Sequence, residues 1–574
     1  MHAAAPKRNW IEGLRPGSNQ LSLALSLVIG ALVGLAVVAF ILLTGRLAAH
    51  MYPAGGSGWR RILVPSLGSL GTGYLLWRYF PFARGSGIPQ TKYALFVNNG
   101  YISLRTVLGK FFCCSASLAS GIALGREGPS VQVGAGVASV IARKLGMSTD
   151  QVKALVPVGC SAALAAAFNT PIAAVLFSLE EIMGDLHATV IGSTVLSAAT
   201  SWMVLHLVLG DNPLFHVPGY HLIHPAELGV YAVLGVVGGL GSVCFVKLLL
   251  WLRLWFRQMP KSTAWIQPLA GGLLVGLLGF VVPGVMGVGY ADVEKVLNGD
   301  VALRLVALLA VLKIVATATC YASGNAGGIF GPSLFIGAMI GASVGGVAHT
   351  VLPAYTAGPG AYALVGMGTA FAGIIRTPLT SVIMIFELTR DYTIIVPLMI
   401  SNLIAFFISY KLQREPIYEA LAYQDGVHLP TAEARQASRA QVIQAMRVSP
   451  STLGAEVSAK AASELLRAWG VDAWPVTDAA GVCGVIRLST LEDAIANGHA
   501  DWTLDGFLRS GGEFPHAHSD HVLGVALERM GAAGLDVLPV VSRANVRELL
   551  GVITLAEVLA AYGVGQEAPV ERRD

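Results

Sequence analysis

The chain has 574 residues, of which 54% are hydrophobic and only 13% charged, with 67 glycines. Its formal net charge of +4 hides an asymmetry: residues 1–430 carry 26 basic and 16 acidic side chains, residues 431–574 carry 12 and 18. Such a chain reads as a polytopic membrane protein with a soluble tail; neither part is built for nucleic acid, and cysteines scattered at 113, 114, 160, 244, 320 and 483 argue against a disulfide or zinc framework.

The N-terminal segment 1–20 carries Lys7, Arg8 and Arg15 and is expected to lie on the cytoplasmic side. Leu21 to Thr44 contains no charged residue and is long enough to cross a bilayer at about 1.5 Å per residue. No convincing small-residue cleavage site follows it, so it reads as a retained helix rather than a signal peptide. Further apolar segments run through Ile404 without the alternation of barrel strands, which predicts an all-α membrane domain over 21–425. Within it, Gly85-Ser86-Gly87-Ile88-Pro89-Gln90 frees backbone N–H groups beside a hydroxyl at a helix start, although a plain turn has the same composition. Lys110 follows inside an apolar run, where an ammonium needs a partner or a water-filled cavity.

Gly125-Arg126-Glu127-Gly128-Pro129-Ser130 places a carboxylate at a Gly/Pro-broken junction between apolar helical segments. The N–H groups at the start of such a broken helix make an anion site, and Glu127 stands where an anion would bind. An isolated Glu there would merely complement the helix dipole. The motif recurs, however: Gly125, Gly128-Pro129-Ser130 and Gly134-Ala135 return as Gly328, Gly331-Pro332-Ser333 and Gly337-Ala338 at an offset of 203. Val158-Gly159 and Thr170-Pro171 return as Val365-Gly366 and Thr377-Pro378 at an offset of 207. The membrane domain is thus a duplicated half, about 21–215 and 225–425, and corresponding broken helices point to a binding site between the copies. The second copy has Ile329-Phe330 where the first has its acid. Glu180 has a counterpart in Glu387 and reads as structural, whereas Glu181 faces Leu388 in the repeat and is the better functional candidate, with a solvated juxtamembrane Glu as the alternative.

The last apolar segment ends near Lys411, and Glu415-Pro416-Ile417-Tyr418 is expected in a helix continuing toward the tail, where a Tyr ordinarily anchors at the membrane boundary. The tail, 430–565, holds a smaller repeat: Asp472-Ala473-Trp474-Pro475-Val476 leads to Gly484-Val485-Ile486, and Asp536-Val537-Leu538-Pro539-Val540 leads to Gly551-Val552-Ile553. Each reads as a strand pair followed by a helix, with Thr490-x-x-Asp493 and Thr554-x-x-Glu557 as capping boxes. His516, His518 and His521 read as a solvated cluster rather than a metal site, and 566–574 closes the chain.

Three motifs in order, Gly85-Ser86-Gly87-Ile88-Pro89, Gly125-Arg126-Glu127-Gly128-Pro129 and Gly328-Ile329-Phe330-Gly331-Pro332, resemble those of the chloride channel/transporter (CLC) family over nearly the whole membrane part, and the tail resembles the paired CBS domains of many members. The resemblance implies an inverted-repeat homodimer in the lipid bilayer, each subunit with its own anion pathway. It implies an anion held by the hydroxyls of Ser86 and Tyr418 and the N–H groups of Ile329 and Phe330, gated by Glu127. Lys110 and Arg126 match basic residues that support the pathway electrostatically, and Glu181 aligns with an internal proton glutamate. Relatives with Pro in place of Ser86 favour nitrate and fluoride-selective ones carry Met, so chloride is the expected ion. One departure is Gly331, where close relatives often have Ala. In the tail, Thr490, Asp493 and Thr554 match the ribose-binding pattern of CBS pairs, with Glu557 departing from it, so an adenine nucleotide is expected at one site at most.

Three functions stay open on this reading: a chloride/proton antiporter, a passive gated chloride channel, and a membrane-tethered nucleotide sensor. All three are non-enzymatic. The chain is expected in a bacterial-type inner membrane with the tail cytoplasmic, and the leading reading has it move chloride and protons without an obligatory cofactor.

Overall fold

A computed structural model describes residues 18–53, 57–186, 190–211, 214, 215, 217, 219, 220, 222–429, 440–448, 450–508 and 514–562. The N-terminal segment before residue 18 and the tail 566–574 lie outside the described residues. The chain divides into two compact units, Met1–Leu429 and Pro430–Asp574.

The first unit is helical. Seven helices among the described residues are long and apolar enough to cross a membrane, from Gln20–Met51 to the composite Tyr392–Gln424. Between them run shorter helices opened by proline at the first turn, such as Pro171–Phe177 and Pro378–Thr389.

Contacts between counterparts reveal a local two-fold relation. Gly125 N–H donates to Gly328 O and Gly328 N–H to Gly125 O, both at 2.7 Å, an antiparallel bridge between residues that are equivalent in the repeat. Glu180 accepts from the amides of Leu379 and Thr380, and Glu387 accepts from the amides of Ile172 and Ala173, which is the same contact exchanged. Each half therefore caps a broken helix of the other. The change of offset from 203 to 207 falls between the two helices of a pair that packs alike in both halves. In the first half, Gly134 on Glu127–Lys144 faces the backbone of Gly159 on Thr149–Phe168; in the second, Gly337 on Phe330–Val351 faces that of Gly366 on Pro359–Ile375. A Cβ at any of the four would collide with the partner backbone.

The end of this unit departs from expectation. Instead of one helix running on toward the tail, Ile395–Leu412 stops and a separate helix, Ile417–Gln424, starts after Pro416, which has no N–H and cannot continue the ladder. Arg376 takes up the freed carbonyls, donating to Ser409 O, Gln413 O and Arg414 O. Tyr418 is fully buried rather than anchored at a boundary.

The second unit is a small α/β structure with two copies of strand, strand and helix. Ala473–Asp478 pairs antiparallel with Gly481–Arg487, and Val537–Val541 with Leu549–Thr554. In both copies the helix is tied to the residue before the first strand, through Leu488 N–H to Asp472 O and Leu555 N–H to Asp536 O, each 2.8 Å. Thr554 and Glu557 form the expected capping box. Thr490 and Asp493 do not: the helix Leu488–Ala496 begins after Arg487, so both lie inside it, exposed. The counterpart of Thr554 in the first copy is Arg487, which has no oxygen with which to cap an amide.

Candidate functional site

The candidate seat is built first from a stiff loop. Gly85 and Gly87 have φ of +86° and +104°, which a side chain would strain. Gly87 donates its N–H to Gln90 Oε1 at 2.8 Å and opens the helix Ile88–Phe96. Buried Lys110 donates to Ala83 O at 2.9 Å and Gly85 O at 2.7 Å, so its ammonium clamps the loop from beneath. Ser86 is thereby held at the centre, completely buried, with its Oγ making no hydrogen bond. Tyr418, in the first turn of Ile417–Gln424, is its neighbour, and its buried hydroxyl likewise has no partner beyond that serine. Two adjacent buried hydroxyls without acceptors are out of balance unless something accepts from them.

Helix starts complete the seat. Phe330–Val351 has Ile329 at its N-cap, whose side chain cannot accept a hydrogen bond, so its first-turn amides need a cap from elsewhere. Glu127, the first residue of Glu127–Lys144, reaches across the interface between the halves. Its Oε2 accepts from Gly331 N–H at 3.2 Å, its Oε1 from the Tyr290 hydroxyl, and Arg126 Nε lies 4.0 Å away. The carboxylate is fully buried and caps the helix of the opposite half as an anion would. The Phe330 ring packs among Phe168, Phe177 and Phe371 at 4.7, 5.3 and 4.4 Å, closing the seat with apolar surface.

Glu181 stands apart, in the π-helical turn Ser178–Met183. It is buried and paired with Lys92 at 2.9 Å. Ser86 and Tyr418 thus lie side by side, Glu127 reaches the helix that Ile329 and Phe330 open, Arg126 lies beside Glu127, and Lys110 holds the Ser86 loop. Thr490, Asp493 and Thr554 belong to the other unit. Among the described residues no group of three or more His, Cys, Asp or Glu side chains is arranged to hold a metal; His518 Nδ1 instead contacts Val541 O.

Three participants escape a reading of the sequence: Tyr290, Lys92 and Glu419. Tyr290 carries a signal, because Gly287-Val288-Gly289-Tyr290 repeats Gly85-Ser86-Gly87-Ile88 at an offset of 202 and Lys313 repeats Lys110. Lys92 carries one as a charge inside an apolar helix.

Two broken-helix halves meeting around a buried carboxylate, in a unit with seven helices long and apolar enough to cross a membrane among the described residues, define a polytopic membrane protein. The family model described as "Voltage gated chloride channel" matches residues 67–410, and the chain belongs to that family, the CLC proteins. Among curated relatives, the H(+)/Cl(-) exchange transporter ClcA of Vibrio parahaemolyticus is 30% identical over 74% of this chain and 94% of its own. The ClcA of Vibrio campbellii is 32% identical over 61% of this chain and 76% of its own. In fold, the chain is similar to a slow cyanobacterial Cl-/H+ antiporter, with TM-score 0.66 and 24% identity over 70% of this chain and 97% of that one. It is also similar to a eukaryotic CLC transporter, with TM-score 0.62 and 20% identity over 94% and 98% of the two chains, a match that takes in the C-terminal unit.

Proposed function

We propose that this protein is a secondary active transporter that exchanges chloride for protons, with Ser86, Tyr418 and the amides of Ile329 and Phe330 holding the anion. The observation that carries this reading is the place of Glu127: a carboxylate that caps the opposite helix occupies an anion position while charged, and protonation removes its reason to stay. Neutral donors suit the task, because a fixed cation in the seat would trap the ion. The relatives named as H(+)/Cl(-) exchange transporters support the choice of ions. Glu181, buried on a separate turn, supplies a second carboxylate for the proton, since one side chain does not span the membrane.

The protein works as a homodimer with one pathway per subunit, in a bacterial-type inner membrane with the C-terminal unit in the cytoplasm. That unit is a CBS pair, supported by its two strand–strand–helix copies, and it regulates transport. Because Arg487 stands where the second copy has Thr554, an adenine nucleotide has one site at most.

Purified protein in liposomes decides the matter. An imposed chloride gradient drives protons uphill, and Glu181→Ala abolishes proton movement while chloride flux persists. Collapse of the gradient without proton movement identifies a gated channel instead. Silent liposomes holding folded protein identify a sensor.

A further inference from the structure

Lys92 does more than neutralise Glu181. Its Nζ lies 2.9 Å from Glu181 Oε1 and 3.5 Å from Glu419 Oε1, so one ammonium is shared by two carboxylates. The side chains of Lys92 and Glu181 are 3% and 7% exposed, whereas that of Glu419 is 32% exposed. Two acids around one base leave one carboxylate more than the ammonium can neutralise, in a group that is buried except at Glu419. Arg376 also acts on Glu419 but spreads its donors over the carbonyls of Ser409, Gln413 and Arg414. Glu180 and Tyr418 are the other titratable groups acting on Glu181 or acted on by it.

The adjacent acid is no outlet. Both oxygens of Glu180 are engaged by Leu379 N–H, Thr380 N–H and the Thr380 hydroxyl. Glu419 is the carboxylate that joins Lys92 to the surface of the unit.

We propose that Glu181, Lys92 and Glu419 form a single proton-holding site in which Glu419 exchanges protons with water and Lys92 swings between the two carboxylates. Protonation of Glu419 from water releases Lys92 to close on ionised Glu181. Passage of that proton to Glu181 leaves Glu419 ionised, and Lys92 moves to it. Uptake breaks one O–H bond of hydronium, forms one on Glu419 and raises the charge of the triad by one; the transfer breaks that bond, forms one on Glu181 and leaves the charge unchanged. The arrangement also links proton and anion, since Lys92 rides on the helix that follows Ser86 and Glu419 is the next residue after Tyr418.

The proposal rests on the exchanger reading, and the test separates the two. Full-length protein in liposomes is assayed for chloride and proton flux between pH 5 and 8. Expected for Glu419→Gln is chloride flux within about twofold of the parent and proton flux reduced at least about fivefold, with Glu419→Asp restoring the ratio. Glu419→His keeps a titratable group and moves the pH profile of proton flux upward by about two units, the separation of the free side chains; a purely structural role would not do so, and this variant decides the matter should Glu419→Gln not fold. A Glu419→Gln protein with the parent's proton-to-chloride ratio at every pH, or an unshifted profile for Glu419→His, overturns the proposal and leaves the exchanger standing. A parent that moves no protons overturns both.

Discussion

Lys110 and Lys313 make the same contact in the two halves. Each ammonium clamps a Gly-x-Gly loop: Lys110 through Ala83 O and Gly85 O, Lys313 through Val285 O at 3.0 Å and Gly287 O at 2.6 Å. The loops differ in what they present, Ser86 in one and Val288 followed by Tyr290 in the other. Removing either ammonium leaves two buried carbonyls without their donor, and hydrogen bonds to charged groups contribute about 1.5–3 kcal/mol each. Lys110→Met and Lys313→Met are therefore both expected to lower the unfolding midpoint in detergent. They part in function: Lys110→Met weakens chloride binding measured by calorimetry, while Lys313→Met spares binding and loosens the hold on Glu127.

That hold is the second prediction. Glu127 is kept in the seat by Tyr290 and the Gly331 amide, with the Arg126 guanidinium 5.7 Å above the Tyr290 ring. Loss of one hydrogen bond to a charged group shifts seating by about ten- to a hundredfold. Tyr290→Phe should then raise chloride flux at alkaline pH, where the charged carboxylate blocks the seat. Glu127→Gln should conduct without dependence on pH. In the Glu127→Gln background Tyr290→Phe should have no further effect; an additive increase would place Tyr290 outside the gate.

The reciprocal caps give a third. Glu180 and Glu387 each satisfy first-turn amides of a helix in the other half, and loss of a helix cap costs about 0.5–2 kcal/mol. Glu180→Ala and Glu387→Ala are expected to destabilise by similar amounts in chemical denaturation and to leave the proton-to-chloride ratio unchanged. Altered coupling in Glu180→Ala alone would show that the repeat does not separate structural from functional acids.

The contrast between these residues shows what a sequence exposes. The Gly/Pro-broken motifs, the duplicated half and the pairing of Glu180 with Glu387 are legible because spacing within a motif is local and the repeat supplies an internal comparison. The ring of partners is not. Tyr290 lies 163 positions from Glu127, and Lys92 lies 89 from Glu181 and 327 from Glu419; no pattern in a single chain marks contacts at such separations. Tyr418 is named by the family resemblance, but its burial is hidden from spacing, since it depends on the break at Pro416 that starts a separate helix. In the tail, Thr490 and Asp493 imitate a capping box three residues beyond the position that the strand register assigns to the cap.

The last prediction concerns that tail. Every group that contributes a hydroxyl, amide or carboxylate to the seat or to the Lys92 triad lies at or before Glu419, and the helix carrying it ends at Gln424. Arg253 and Arg257 fasten that end through Asp425, at 2.7 and 2.5 Å, within the first unit. A chain ending at residue 429 therefore retains the complete seat and its anchoring. In liposomes it is expected to keep the parent's chloride-over-nitrate preference and its proton-to-chloride ratio, while turnover rate or dimer stability changes, because a regulatory unit acts on population rather than on the donors that contact the ion. Selectivity measured from reversal potentials across nitrate and chloride gradients is the deciding readout. A truncated protein that inserts normally but has lost its chloride preference would mean that the C-terminal unit shapes the seat itself, and the division of labour between the two units would have to be abandoned.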